Sequence, residues 1–380
     1  MKPFTYYNPT RLIYGDRQKE IGKILKNAGH KRVLLIYGQN SIKKSGLYDE
    51  ITKVLKDENI EVVEHAGVSS NPTIAHARVG VEKAKNATAV LAVGGGSVVD
   101  EAKTIAAASL TKCDPWELFM GKKVTFALDL FVILTISATG SEMNEGAVIT
   151  NEETKEKLSF KSPLVFPKVS IINPAFMKTV PDNYLAYSAV DIIAHAIEGY
   201  FTSEDSPAIQ KRFVENIVKT VIESTNAVIK NRDDLDARYE FALASTWALN
   251  GLTSLGLGRY NFPNHMIEHS LSAIYNVAHG AGLAVIIPAW LKWLDKRDST
   301  RIERFSREIF GKETSQEGIK ALENWFSKIG APISLNELII PASDTEEIAK
   351  NAFNTSVKWG MSEVYGLNTI KEILLNALKD

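Results

Sequence analysis

Leu91-Ala92-Val93-Gly94-Gly95-Gly96-Ser97-Val98-Val99-Asp100 decides the fold. An apolar run ends in three glycines, and a helical pattern capped by Ser97 begins at once. Glycines let a backbone approach a bulky anion closely. The helix that follows presents unpaired N–H groups and the positive end of its dipole. The turn lacks the G-x-G-x-x-G spacing, and no Gly-Lys-Ser/Thr follows it. On its own it reads equally as a pyrophosphate cradle or as a tight βα turn made for packing.

Similar units lie on either side. Val33-Leu34-Leu35-Ile36-Tyr37-Gly38, Val62 to Gly67 and Leu130 to Ile136 are short β-branched runs. Helical stretches from Ile51 to Asn59 and from Ala75 to Asn86 separate them. Continuously apolar strands alternating with helices predict a parallel sheet covered on both faces. Ligands then bind at the carboxyl ends of the strands. The turn after the fourth run, Thr135 to Asn144, is dense in hydroxyls that could hold a ribose or phosphate, or simply cap a loop.

Beyond Pro181 the β signal fades. Helical patterns run from Tyr184 to Tyr200, Ser206 to Lys230, Asp236 to Ser254, Pro263 to Tyr275, Ser299 to Ile309, Gly318 to Ile329 and Thr369 to Leu378. The chain therefore divides into an α/β domain, 1–180, and an all-helical domain, 181–380. At about 150 residues per domain, 380 residues fit two.

The helical half carries the second signal. Ala186 to Tyr200 is apolar on nearly every side except at Ser188, Asp191, His195 and Glu198, which share one face. Buried carboxylates and imidazoles cost several kcal/mol unless paired or bound to a cation. Asp191 and His195 can share a metal ion or hydrogen-bond each other. Three of the chain's seven histidines, His265, His269 and His279, lie close together further on. His279 is placed at a turn before Gly280-Ala281-Gly282. One carboxylate and several imidazoles suit iron(II), zinc or manganese. Glu198 and Glu268 read as outer partners or as ordinary solvated groups. His30, His65 and His76 read as surface or turn histidines.

Composition excludes several classes. Lys plus Arg is 44 against 45 for Asp plus Glu, which argues against a nucleic-acid or acidic-membrane binder. A single cysteine, Cys113, excludes an intramolecular disulfide and a thiolate zinc cluster, as expected of a cytoplasmic protein. Met1 to Pro9 has no apolar core of a secretory signal, and no apolar run is long enough to cross a bilayer.

In this order, the Gly94–Asp100 turn, the Asp191/His195 pair and His265-x3-His269-x9-His279-Gly280 resemble the iron-dependent (group III) alcohol dehydrogenases. The nearest branch is that of butanol dehydrogenases and NADPH-dependent aldehyde reductases. Asn8 to Arg11, Lys43 to Gly46, Asn71-Pro72, Asp114 to Trp116 and Ala138 to Glu142 extend the likeness along the whole chain.

The resemblance implies a dehydroquinate synthase-like architecture: a dinucleotide-binding α/β domain with a parallel sheet, then an all-α metal-binding domain. It implies one divalent metal, iron(II) or zinc, on Asp191, His195, His265 and His279, with His269 near substrate and nicotinamide as the catalytic proton carrier. Carried over to matching positions, the coenzyme residues are Gly38, Gln39, Asn40, Ser41, Asn71, Gly95, Gly96, Ser97, Asp100, Thr135, Thr139, Ser141, Asn144 and Lys157. No carboxylate follows Gly38 to repel a 2′-phosphate, and Lys43 and Lys44 are near, so NADP(H) is expected over NAD(H). The expected reaction is metal-assisted hydride transfer on a small alcohol or aldehyde, in a cytoplasmic homodimer without nucleic-acid or membrane partners. The alternatives are an enzyme like glycerol-1-phosphate dehydrogenase or dehydroquinate synthase, and a non-catalytic nucleotide-binding protein. The first would need basic residues near the metal, whereas Ile192, Ile193, Phe262, Pro263, Met266 and Ile267 flank it here.

Overall fold

The β-branched runs form strands because each is apolar at successive positions and stops at a glycine or polar turn. A computed structural model describes residues 1–378. Packing divides the chain into two units, Tyr7–Thr179 and a second made of Met1–Tyr6 with the chain from Val180 onward. Against the expected 1–180 domain, the first residues belong with the helical unit, where Lys2 N–H donates to Gly256 O.

In the α/β unit the strands are β1 (Arg11–Tyr14), β2 (Arg32–Tyr37), β3 (Glu61–Ala66), β4 (Ala89–Gly94), β5 (Asp129–Leu134), β6 (Gly146–Asn151), β7 (Glu156–Lys161) and β8 (Val169–Ile172). Six form one parallel sheet in the order β1-β8-β5-β4-β2-β3, while β6 and β7 make an antiparallel hairpin. Val33, Leu35, Tyr37, Leu91, Val93, Phe131 and Ile133 fill one face of the sheet. Their alternates Leu34, Ile36, Val90, Ala92 and Val132 are also buried, so both faces are covered.

The chain goes from β2 outward to β3 and then returns to β4 on the other side of β2. This reversal opens a crevice at the carboxyl ends of β2 and β4, the usual ligand position in such sheets. β1 and β8 were missed as strands, being four residues long and placed by pairing with distant partners.

The helical unit is built around Asp182–Thr202, from whose apolar stripe Ala186, Ala189, Val190, Ile193 and Ile197 are fully buried. Ala208–Lys230, Leu235–Ala248, Pro263–Tyr275, His279–Asp295, Ser315–Lys328, Thr345–Lys358 and Leu367–Asn376 complete its long helices. Two of these, His279–Asp295 and Thr345–Lys358, were not anticipated. The first starts with two glycines and contains Pro288, which hides its helical pattern. No helix among the described residues is long and apolar enough to cross a membrane.

Candidate active site

In the α/β unit the glycines are fixed by the loop that faces them. A Cβ on Gly96 would lie 2.2 Å from Thr139 Oγ1, one on Gly95 3.2 Å from Ile136, and one on Gly94 2.4 Å from Val98. The triple-glycine turn thus lets the Thr135–Asn144 loop lie directly against the start of the Gly96–Thr111 helix. The helix cap is Gly95, with no side-chain acceptor, and not Ser97 as expected. Val98 N–H already closes on Gly95 O at 3.0 Å, which leaves the Gly96 and Ser97 amides at the open end of the helix for an anion. Ser97 lies inside the helix, and its hydroxyl donates to Ser70 O at 2.7 Å.

The other carried-over residues surround this turn. Ser141 Oγ donates to Asp100 Oδ1 at 2.5 Å, and Val148 N–H donates to Asp100 Oδ2 at 3.0 Å. Asn144 Nδ2 donates to Gly140 O, and Lys157 Nζ donates to Asn71 Oδ1 at 3.2 Å. Gly38 follows β2; Gln39, Asn40 and Ser41 are exposed beyond it, with Ser41 opening a single helical turn. Thr135 N–H bonds Gly94 O, joining the two turns.

Sequence reading missed Lys103, which is fully buried in an alanine-rich stretch of the same helix. Its ammonium donates to Ser141 Oγ, Asn144 Oδ1 and Gly146 O at 2.7–2.9 Å. Burial pushes its pKa down to about 8 despite the Asp100 charge.

In the helical unit Asp191 and His195 lie one turn apart on Asp182–Thr202, His265 and His269 one turn apart on Pro263–Tyr275, and His279 opens His279–Asp295. His279 is therefore a helix start, not the expected turn. The stripe converges on Asp191. Its Oδ1 lies 3.5 Å from His195 Nδ1, 3.7 Å from His265 Nε2 and 3.7 Å from His279 Nε2. These gaps are too long for hydrogen bonds. They match the spacing of ligands about one ion with bonds of about 2.0–2.2 Å. Asp191 Oδ1 and His265 Nε2 are buried without a hydrogen-bond partner. The donor set fits a divalent transition metal, since one carboxylate oxygen and three imidazole nitrogens converge at spacings longer than hydrogen bonds.

Burial alone would push the Asp191 carboxyl up, but His195, His279 and His265 hold it well below the usual carboxylate range. Burial likewise opposes the His265 imidazolium, yet the carboxylates of Asp191 and Glu198 raise that ring to about 9. The pocket is built to hold positive charge.

Glu198 and Glu268 act as outer partners. Glu198 Oε1 accepts from His265 Nδ1 at 2.9 Å and from His265 N–H at 3.1 Å, while Asn264 Nδ2 donates to Oε2. Glu268 accepts from His279 Nδ1. Each carboxylate fixes a ring so that Nε2 faces Asp191. Gly280 and Gly282 allow this packing. A Cβ on Gly280 would lie 2.0 Å from Tyr187 O, and one on Gly282 2.7 Å from Glu268 Oε1.

His269 is nearly buried, 5.7 Å from the His279 ring and edge-on to Trp359 at 5.3 Å. Phe262 packs against His265 at 5.4 Å. Ile192, Ile193, Met266 and Ile267 lie in the hydrophobic core, so their apolarity reports packing and says nothing about substrate. His65 is fully buried and His30 nearly so, which overturns their reading as surface histidines.

The chain matches known proteins along its whole length. Residues 9–174 match the family "Iron-containing alcohol dehydrogenase", and residues 185–378 match the "Fe-containing alcohol dehydrogenase family, C-terminal". A probable NADH-dependent butanol dehydrogenase of Bacillus subtilis is 39% identical over 100% of this chain and 99% of its own. The NADPH-dependent aldehyde reductase of Escherichia coli is 33% identical, with 92% of each chain covered. The crystal structure of an NADH-dependent butanol dehydrogenase from Thermotoga maritima superposes with a TM-score of 0.96, at 42% identity over 100% of this chain and 99% of that one.

Proposed function

The chain belongs to the iron-containing alcohol dehydrogenase family and is an NAD(P)-linked alcohol and aldehyde oxidoreductase, and we propose that Asp191, His195, His265 and His279 hold its metal. The observation that carries this is Asp191 Oδ1, buried and unpartnered, with three imidazole nitrogens 3.5–3.7 Å away. When bound, the metal polarises the substrate oxygen and the nicotinamide gives or takes the hydride.

The protein supplies the rest. Glu198 and Glu268 accept hydrogen bonds from Nδ1–H of His265 and His279, which directs both Nε2 atoms inward. The core packing of Asp182–Thr202 keeps Asp191 and His195 in place without any loop. His269 is assigned the proton that the substrate oxygen gains or loses. Its small exposure makes water part of any path from this ring to solvent. Replacement of His269 by Ala lowers turnover and leaves the metal content at the Asp191 site intact.

The coenzyme residues are those round the triple-glycine turn: Gly38, Gln39, Asn40, Ser41, Asn71, Gly95, Gly96, Ser97, Asp100, Thr135, Thr139, Ser141, Asn144 and Lys157. NADP(H) is the preferred coenzyme in this reading. The supporting features are the absence of a carboxylate at 39–41 and the ammonium of Lys43, 4.7 Å from the Tyr48 ring and 5.3 Å from that of Tyr37. The names of the Bacillus and Thermotoga relatives point to NADH. A kcat/KM ratio for NADPH over NADH, measured with butanal after reconstitution with iron(II) or zinc, decides it; a ratio below one rejects the preference.

The enzyme is also read as a cytoplasmic homodimer. Its lone, half-buried Cys113 is consistent with assembly without disulfides. Sedimentation at several concentrations tests the dimer.

A further inference from the structure

A second group of metal-ligating side chains lies in the α/β unit. His65 is the next-to-last residue of β3, His76 lies in the first turn of Ile74–Lys83, and Glu101 sits on Gly96–Thr111. Each offers a ligand atom within 4.8 Å of the others. Glu101 Oε1 lies 2.7 Å from His65 Nε2 and 2.6 Å from His76 Nδ1, and the two rings stack at 4.2 Å. His65 and Glu101 are fully buried, whereas the His76 side chain is 30% exposed and gives the cluster an opening to solvent.

Protonation places a constraint on this group. His76 Nε2 is 3.1 Å from Ala66 O, a carbonyl that can only accept, so Nε2 carries a hydrogen. In the neutral ring, Nδ1 then presents its lone pair to a carboxylate oxygen 2.6 Å away. That contact is repulsive unless a cation, either a proton or a metal ion, lies between the two. A ring N–H that donates to a backbone carbonyl fixes the tautomer and leaves the other nitrogen free to bind a metal, as in ligating histidines. Glu101 Oε2 is buried with no partner, an oxygen that a bidentate carboxylate would use. Gly80 lets its helix pass close to the ring, since a Cβ there would lie 2.2 Å from Ile105 Cδ1 and 2.9 Å from His65 Nε2.

We propose that His65, His76 and Glu101 form a second divalent-metal site, for zinc or an ion of similar chemistry, that ties β3 and the Ile74–Lys83 helix to the helix that follows the triple-glycine turn. Two imidazoles and a carboxylate are a zinc donor set, with a further position open towards solvent. To admit the ion, the 2.6–2.7 Å contacts must open by about 0.7 Å, to the ligand spacing that bonds of about 2.1 Å require. This site is separate from the Asp191 site and does not depend on its assignment.

The test is zinc stoichiometry by elemental analysis, after removal of metal with a chelator and dialysis of the folded enzyme against zinc sulfate. Two ions per chain are expected in the wild type, one in D191A and none in D191A/H76Q. Circular dichroism confirms that each variant is folded. H76Q changes the most exposed ligand, and E101Q, which keeps the shape of Glu101, must also lose one ion. Zinc should raise the melting temperature of D191A but not that of D191A/H76Q. No ion in D191A, or equal zinc content with and without His76, overturns the proposal and leaves a proton as the cation in the cluster.

Discussion

The polar groups round Asp100 and those round Asp191 are each buried or half-buried, but they are completed in opposite ways. Asp100 accepts from Ser141 and from Val148 N–H, and Lys103 satisfies three oxygens. That network closes on itself and sets the shape of two loops. Asp191 Oδ1 and His265 Nε2 are left without partners, although an unsatisfied buried polar atom costs about 1–3 kcal/mol. A closed network specifies a backbone surface, the kind of surface that holds a nucleotide through amides and glycines. An open one fits the cation proposed to lie among its ligands.

The largest expected effect breaks the open side of the comparison. D191A should lower kcat/KM by more than about 100-fold, beyond the loss expected for an outer partner, and should empty the ion from this site. Steady-state assay and elemental analysis of the same preparation check it. Full activity with metal loss would separate the site from the chemistry.

E198Q comes next. It keeps the ligands but weakens the acceptor that orients His265, so metal affinity should fall by roughly 10- to 100-fold. Titration against a competing chelator measures this, and unchanged affinity would make Glu198 a packing group.

On the closed side, G96A forces a methyl group onto Thr139. Overpacking of about 1–3 kcal/mol predicts a roughly tenfold or greater rise in coenzyme KM, with metal content unaltered. A loss of metal instead would mean that the two networks are coupled.

The smallest effect is a titration beside the β2 turn. Glu64 accepts from the hydroxyls of Tyr37 and Tyr48 at 2.6 and 2.7 Å. Burial first, then that carboxylate, pushes Tyr37 up to about 12; for Tyr48 the carboxylate leads and the value is also about 12. A folded-state pKa above the unfolded value of about 10 means stability that is whole below pH 10 and lost as pH rises through 12. Burial or a carboxylate also raises Tyr200, Tyr275 and Tyr365, so the check is a difference titration: phenolate absorbance of E64Q against wild type should show two tyrosines moved back towards about 10.

Most of this contrast was legible in the chain. The glycine turn was visible because strand, glycines and helix are contiguous. The polar stripe is visible because one helix repeats polar residues every three or four positions. Lys103 was not, because a single lysine among alanines gives no local sign that three oxygens await it. His65, His76 and Glu101 come from three elements, with no periodicity to link them. His279 was assigned to a turn because Gly280 and Gly282 look like helix breakers. Their reason is the nearness of Tyr187 O and Glu268, which only folding supplies.

The three residues Asn276, Val277 and Ala278 separate the helix carrying His265 from the one that His279 begins. Asn276 turns left-handed at φ +54°, its N–H closing on Ser272 O, while the Ser272 hydroxyl reaches Val277 O. So brief a corner has no slack. One inserted residue would lengthen the link by up to about 3.5 Å, well beyond what a metal–ligand bond of about 2 Å tolerates. Drift in this part of the gene is thereby confined to exchanges of letters, and a change of length would erase the enzyme in a single event.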